Sequence, residues 1–260
     1  MPTFNFRQTK IHFTQTETAS KKPVLVCIHG FLENANMWQS IIPQFKDKYR
    51  IICIDLPGHG QTEAMGYIHT MPNLAEIIRG LLQHLNLHHA HFVGHSLGGY
   101  VLLALAEVDP KVIQQQIILN STSLADSSSR KKDRDRAIKM VQKYPQAFIS
   151  MAVKNLFLPQ MHLRHEDAIN EAVEQAKTCS TQGIINTLIG MRDREDRTNS
   201  LIHLKTKTFI IAGQDDPIAN TNALKQIAQK HNLNFKLLPG GHMSYIEALP
   251  ELIQHLKSIL

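Results

Sequence analysis

Two periodicities alternate along the chain. Short apolar runs recur at VLVCIH (24–29), RIICID (50–55), HFVGH (91–95), QQIILN (115–120), TKTFIIAG (206–213) and NFKLL (234–238). They are nearly continuous in Val, Ile and Leu, as strands covered on both faces are. FNFRQ (4–8) and KIHFTQ (10–15) instead alternate apolar and polar residues, the pattern of a half-exposed hairpin. Between the strands lie helical patterns. Leu74, Ile77, Ile78, Leu81, Leu82 and Leu85 fall at i, i+3, i+4, i+7, i+8 and i+11, one apolar face of a helix, and Leu249, Leu252, Ile253, Leu256 and Leu260 repeat the pattern. Strands alternating with helices predict an α/β fold: a mostly parallel eight-stranded sheet, helices on both faces, right-handed crossovers.

One segment breaks the alternation. From about Ser121 to Leu204 no strand pattern occurs, only helical stretches such as AIKMVQ, QAFISMAVKNLF and GIINTLIGM joined by polar pieces. The expected organisation is a core of residues 1–120 and 205–260, with an all-helical cap, 121–204, inserted between two strands and lying over a site at the strand ends.

Composition narrows the class. At 260 residues with 43% apolar content, the chain has ample material for a core. A net charge of +6 is modest, and basic residues cluster only between Arg130 and Arg136, which argues against nucleic acid as a partner. No stretch of about eighteen apolar residues occurs and MPTFNFRQTKIHF carries no secretory pattern, so a cytoplasmic protein without membrane association is the expectation. The three cysteines show no CxxC spacing, which suggests neither a disulfide framework nor a thiolate metal site; Cys27 and Cys53 sit in apolar runs and read as core residues.

The chemistry begins at Gly94-His95-Ser96-Leu97-Gly98. It satisfies G-x-S-x-G at the end of a strand and the start of a helix, where that motif lifts a serine hydroxyl clear of the sheet on a strained turn. Glycines two residues to either side leave room for the turn, and the helix amino terminus favours negative charge nearby. A serine nucleophile needs a base, and the base needs an acid to orient it. Asp216 follows an apolar strand in GQDDP, and His242 lies in LPGGHMSYIE between the last strand and the last helix.

The order Ser, Asp, His resembles that of the serine α/β-hydrolases, and the resemblance extends over essentially the whole chain through HGF (29–31), DLPGHGQT (55–62), the elbow, GQDDP and GGHMSYIE. It implies Ser96 as nucleophile, His242 as general base and later acid, and Asp216 as the acid that fixes the imidazole's tautomer. The family's G-x-x-D spacing from Gly213 selects Asp216 over its neighbour Asp215. The oxyanion would be met by the backbone N–H groups of Leu97 and Phe31, donors of a kind that contribute about 3 to 4 kcal/mol each. No cofactor or metal is implied. The substrate class is esters of small or medium-sized acids; enol-lactone hydrolysis, carbon-carbon bond hydrolysis, a menaquinone-pathway-like lyase and haloperoxidase chemistry use the same triad, and a ligand-sensing receptor with slow turnover is the alternative of another class. Oligomeric state is not legible.

Other polar residues read as structural. His95 is expected to pack below the elbow; His29, His59 and Asp55 fix loops; His88, His89 and His91 form a polar surface loop. RKKDRDR (130–136) reads as a solvated cap helix, with an anion-attracting rim as its functional alternative, and the arginines of MRDREDR (191–197) read as cap packing. Among Phe31, Trp38, Met140, Phe148, Met151, Phe157 and Leu158, only Phe31 is assigned to a pocket wall, through its place in the oxyanion loop.

Overall fold

The computed structural model describes residues 2–18 and 20–260. Among them, eight strands form one sheet: β1 (Thr3–Phe6), β2 (Thr9–Gln15), β3 (Val24–Ile28), β4 (Arg50–Ile54), β5 (Ala90–His95), β6 (Ile113–Leu119), β7 (Thr208–Gly213) and β8 (Asn234–Leu238). Their order is β1-β2-β4-β3-β5-β6-β7-β8. The pairs β1–β2 and β2–β4 are antiparallel and all others parallel. The first hairpin turns on Arg7 and Gln8, both at positive φ (45° and 70°), the backbone that a two-residue turn matching strand twist requires.

Every residue of β3 and β4 is buried, as the unbroken apolar runs predict. Cys27 and Cys53 are register partners inside this pair and fill core volume. The sheet order reverses at β3: the chain goes outward to β4 and returns to β5 on the other side. Such a reversal leaves a crevice beyond the carboxyl ends of the two diverging strands. Register aligns those ends, with Ile28 beside Gly94, His95 beside Leu119, Leu119 beside Ile211 and Gly213 beside Leu238. The loops that follow β3, β5, β6, β7 and β8 therefore emerge together.

Helices follow the apolar periodicity. A single turn, α1 (Ile42–Phe45), precedes β4; α2 (Met71–His84) starts on a Thr70 cap and buries the predicted stripe; α3 (Leu97–Val108) begins directly after Ser96 and is apolar on nearly every side. It is enclosed by α2 and by β5 and β6, which is why it shows little amphipathic pattern.

Between β6 and β7 the chain forms α4 (Ser128–Lys143), α5 (Pro145–Lys154), α6 (Glu166–Ala176), α7 (Thr181–Arg192) and α8 (Thr198–His203), with no strand among the described residues. Then come α9 (Thr221–His231), α10 (Ser244–Glu247) and α11 (Leu249–Ile259). The inserted helices are tied to the rest through α7. Asn186 Nδ2 donates to the Gly66 carbonyl at 2.9 Å, and the His69 backbone N–H donates to the Asn186 carbonyl at 3.1 Å. His69 Nδ1 meets Thr187 Oγ1 at 2.9 Å, and burial pushes this histidine down to about 4, so it holds the joint as a neutral ring.

One local expectation is corrected. His91 lies within β5, with its Nδ1 3.0 Å from Gln115 Oε1, because β5 begins at Ala90; only His88 and His89 remain in the preceding turn. No helix among the described residues is long and apolar enough to cross a membrane.

Candidate active site

Ser96 is built into the elbow by its neighbours. Its φ of 50° is one that side chains other than glycine's rarely adopt, and it is pinned by its N–H donating to the Leu119 carbonyl at 2.9 Å and by its own carbonyl accepting from Ser121 Oγ at 2.7 Å. Gly94 and Gly98 must both be bare: a Cβ on Gly94 would stand 2.5 Å from the Gly98 carbonyl, and one on Gly98 would run into the Ile28 carbonyl.

The structure brings Ser96, His242 and Asp216 together. His242 Nε2 is 2.9 Å from Ser96 Oγ, and His242 Nδ1 is 2.8 and 3.0 Å from the two oxygens of Asp216. Asp216 Oδ1 also accepts from the backbone N–H groups of Ile218 (2.8 Å) and Ala219 (2.9 Å). Burial pushes this carboxyl's pKa up, but the neighbouring His242 and these hydrogen bonds outweigh it and hold the group below the usual range, so it is ionised. Asp215 is exposed and takes no part in the hydrogen bonds that orient the imidazole. An imidazole held this way carries its proton on Nδ1 and presents a lone pair at Nε2 to the serine hydroxyl.

Phe31 lines the same cavity as Ser96, and Leu97 follows Ser96 directly in the chain. Among the described residues, no acceptor is bonded to the backbone N–H of either. The side chains of Phe31, Ser96 and His242 line a cavity of about 450 Å³, whose other walls come from α4, α5 and α7. Phe148, Met151, Leu156, Leu188 and Met191 make most of this wall apolar. The sequence assigns only Phe31 there; Phe148 and Met151 join it, Met140 faces solvent, and Trp38, Phe157 and Leu158 are buried elsewhere.

The histidines and acid read as loop-fixing behave so. His29 Nε2 accepts from the Leu56 N–H at 2.9 Å while Nδ1 donates to the Gly30 carbonyl at 2.7 Å; burial lowers its pKa and keeps it neutral. His59 Nδ1 donates to the Pro57 carbonyl at 3.0 Å. Asp55 accepts from the N–H groups of Ala35 and Gln61 and from His12.

Three features of the site go beyond the residues that the sequence assigns to it. Asn120, at the end of β6, donates through Nδ2 to Asp216 Oδ2 (3.1 Å) and to the Gly241 carbonyl (3.0 Å), so it joins the acid to the loop that carries His242. Arg134 lines the cavity together with Arg130 and Asp133, which departs from the solvated reading of that charged run and accords with its alternative, an anion-attracting rim: Lys131, Lys132, Asp135 and Arg136 are outside the cavity lining, while Arg130 and Arg134, one helical turn apart, are on the cavity side.

The third is Glu33, three residues beyond Gly30 in HGFLE. Its Oε2 accepts from the Gly30 N–H at 2.6 Å and from His95 Nδ1 at 2.8 Å, and its Oε1 from the Tyr245 hydroxyl at 3.1 Å. His95 Nε2 in turn donates to the His242 carbonyl at 3.0 Å. Burial opposes both charges, yet mutual attraction raises the His95 pKa and lowers that of Glu33, so the two form a buried ion pair. It links the loop of Gly30, the elbow and the loop of His242.

The pair makes folding depend on pH. His95 contributes stability that is complete below its unfolded pKa and lost as pH rises through its raised folded value; Glu33 contributes above its unfolded pKa and loses it as pH falls through its depressed value. Glu33→Gln is therefore expected to cost stability most between those two titrations, by about 3 to 5 kcal/mol if His95 stays charged. Urea unfolding of both proteins from acid to alkaline pH checks this; a pH-independent difference would rule out the ion pair.

Comparison with known proteins came to a consistent result. A family model described as alpha/beta hydrolase fold matches residues 23–249. The chain is 25% identical over 253 residues to 3-oxoadipate enol-lactonase 1 of Acinetobacter baylyi, covering 95% of this chain and 92% of that one. It is 41% identical over 102 residues to the uncharacterized hydrolase YugF of Bacillus subtilis, a match that spans 39% of this chain and only 37% of that relative. A thermophilic esterase from Thermogutta terrifontis, solved with malate bound, superposes with a TM-score of 0.87 at 26% identity, covering 96% of this chain and 92% of that one.

Proposed function

The chain belongs to the α/β-hydrolase fold family and is a hydrolase, and from that premise we propose that it cleaves esters of small or medium-sized carboxylic acids through an acyl-enzyme on Ser96. The observation that carries this reading is the His242 imidazole, 2.9 Å from Ser96 Oγ on one side and hydrogen-bonded to Asp216 on the other. As Ser96 Oγ attacks the ester carbonyl, its proton passes to His242 Nε2, and the oxyanion takes the N–H groups of Phe31 and Leu97. Collapse of the tetrahedral intermediate expels the alcohol, which receives that proton. A water then gives a proton to Nε2 and attacks the acyl carbon; the acid leaves and the hydroxyl is restored. Asp216 stays ionised throughout and stabilises the imidazolium.

We further assign residues 121–204 as a cap over a core of 1–120 and 205–260, since helices from that segment roof the cavity. A lactone is a cyclic ester, so the enol-lactonase relative, which covers nearly the whole chain, supports lactone opening as a second reading on the same residues.

The test is intact-mass labelling with a fluorophosphonate together with hydrolysis of p-nitrophenyl esters from acetate to decanoate. One label, mapped to Ser96, and multiple turnover are expected. A folded sample that neither labels nor turns over would sink the reading. Labelling without turnover of any ester or lactone would retain the nucleophile and reject ester hydrolysis.

A further inference from the structure

The cavity that Ser96 lines also carries charged side chains. Arg134 and Arg130 both line it from α4, four residues apart on one face of the helix. Arg134 is nearly enclosed, with 12% of its side chain exposed, and its Nε donates to Asp126 Oδ2 at 3.1 Å. That carboxylate is already shared: Arg194 Nη1 reaches Asp126 Oδ1 at 2.5 Å, and the Arg194 guanidinium lies 4.1 Å from the centre of the Tyr100 ring, which also lines the cavity. Asp133, on the same wall, is engaged by Arg136. Glu33, at the other side, is paired with His95.

Two guanidinium charges thus share one buried carboxylate, and a third, on Arg130, has no acidic partner among the described residues. Among those residues, too, no acceptor is bonded to the terminal nitrogens of Arg134 or to the Arg130 guanidinium. Like charges one helical turn apart repel, so a bound anion between the two guanidinium groups would relieve that repulsion. Burial is the largest influence on Arg134 and lowers its pKa from the ordinary arginine value.

We propose that Arg134 and Arg130 form a carboxylate subsite, so that the substrate is an ester or lactone whose acyl part ends in a free carboxylate, with the Phe148, Met151 and Leu188 surfaces accommodating the methylenes between. The planar guanidinium fork suits a carboxylate's two oxygens, and the apolar residues that line the same cavity suit a short methylene chain better than a second polar group. The subsite's catalytic consequence rests on the Ser96 reading; its binding consequence does not.

The experiment separates the two. With p-nitrophenyl hydrogen glutarate and the neutral p-nitrophenyl hexanoate, the wild type is expected to favour the charged ester in kcat/KM, and Arg134→Met and Arg130→Met should each lower the charged-to-neutral ratio by about tenfold or more. Arg130 has no side-chain partner to orphan among the described residues, so its variant remains informative if Arg134→Met folds poorly. In parallel, calorimetric binding of glutarate to Ser96→Ala is expected and should be lost when Arg130→Met or Arg134→Met is added. Ratios that stay within about twofold of wild type, or glutarate binding indifferent to both arginines, would overturn the subsite. Arginine-dependent glutarate binding in a protein that fails to label at Ser96 would keep the subsite and discard serine hydrolysis.

Discussion

Ser96→Ala is expected to remove ester turnover, with kcat falling by something on the order of a millionfold, the scale seen when the nucleophile of a serine hydrolase is deleted. Only the Oγ atom is lost. Alanine tolerates the elbow's backbone as well as serine does, and the pins that hold it, the Leu119 carbonyl and the Ser121 hydroxyl, bond to main-chain atoms of residue 96. Stability should therefore change little while chemistry disappears. Steady-state rates with a p-nitrophenyl ester and thermal melts of the same preparations check both halves. Retained turnover after purification away from host esterases would contradict Ser96 as nucleophile, whereas lost turnover with a collapsed melt would point to a structural role.

The second large effect is expected at Asp216. Asn at this position keeps an oxygen for the Ile218 and Ala219 N–H groups but turns an NH₂ toward His242 Nδ1 and Asn120 Nδ2, which are both donors in the wild type. His242 meets that NH₂ as an acceptor by moving its proton to Nε2, and an Nε2–H cannot accept from Ser96. A loss in kcat of about ten-thousandfold is expected, as for the equivalent change in other triads. Asp215→Asn is the matched control: that side chain is exposed and takes no part, so its kcat should stay near wild type. Equal losses in the two variants would show that local folding, not tautomer control, is being measured.

These two residues are the most legible part of the chain, and the reason is local. Ser96 is announced by glycines whose missing side chains the turn requires, and Asp216 and His242 stand beyond the ends of apolar strands, so short-range pattern carries them to the same edge of the sheet. Strands β3 and β4 are visible for a similar reason: both are buried from end to end, and continuous apolar runs say so, whereas β8, whose NFKLL run reads as covered on both faces, is the sheet's edge strand and is mostly exposed. Glu33 and Asn120 have no such signature. Glu33 acquires its meaning from His95, 62 residues away, and Asn120 from Asp216, 96 residues away, and no periodicity reports a pairing that only the folded sheet creates. Helix α4 fails differently. Its sequence is polar nearly all round, so the face that turns inward is set by what it packs against, and Arg130 and Arg134 look no different in the sequence from Lys131 and Arg136, which lie outside the cavity.

The backbone at residue 96 also bears on how such a protein would drift. A φ of 50° with ψ of −109° is a conformation that a side chain other than glycine's holds only against its own preference, at a cost of roughly 1 to 3 kcal/mol that the surrounding sheet must absorb. Glycine would carry no such burden. If this chain were evolved in the laboratory for heat resistance alone, with no demand for turnover, Ser96→Gly would be among the changes that such selection accepts, and the fold would become more durable by forgetting what it does.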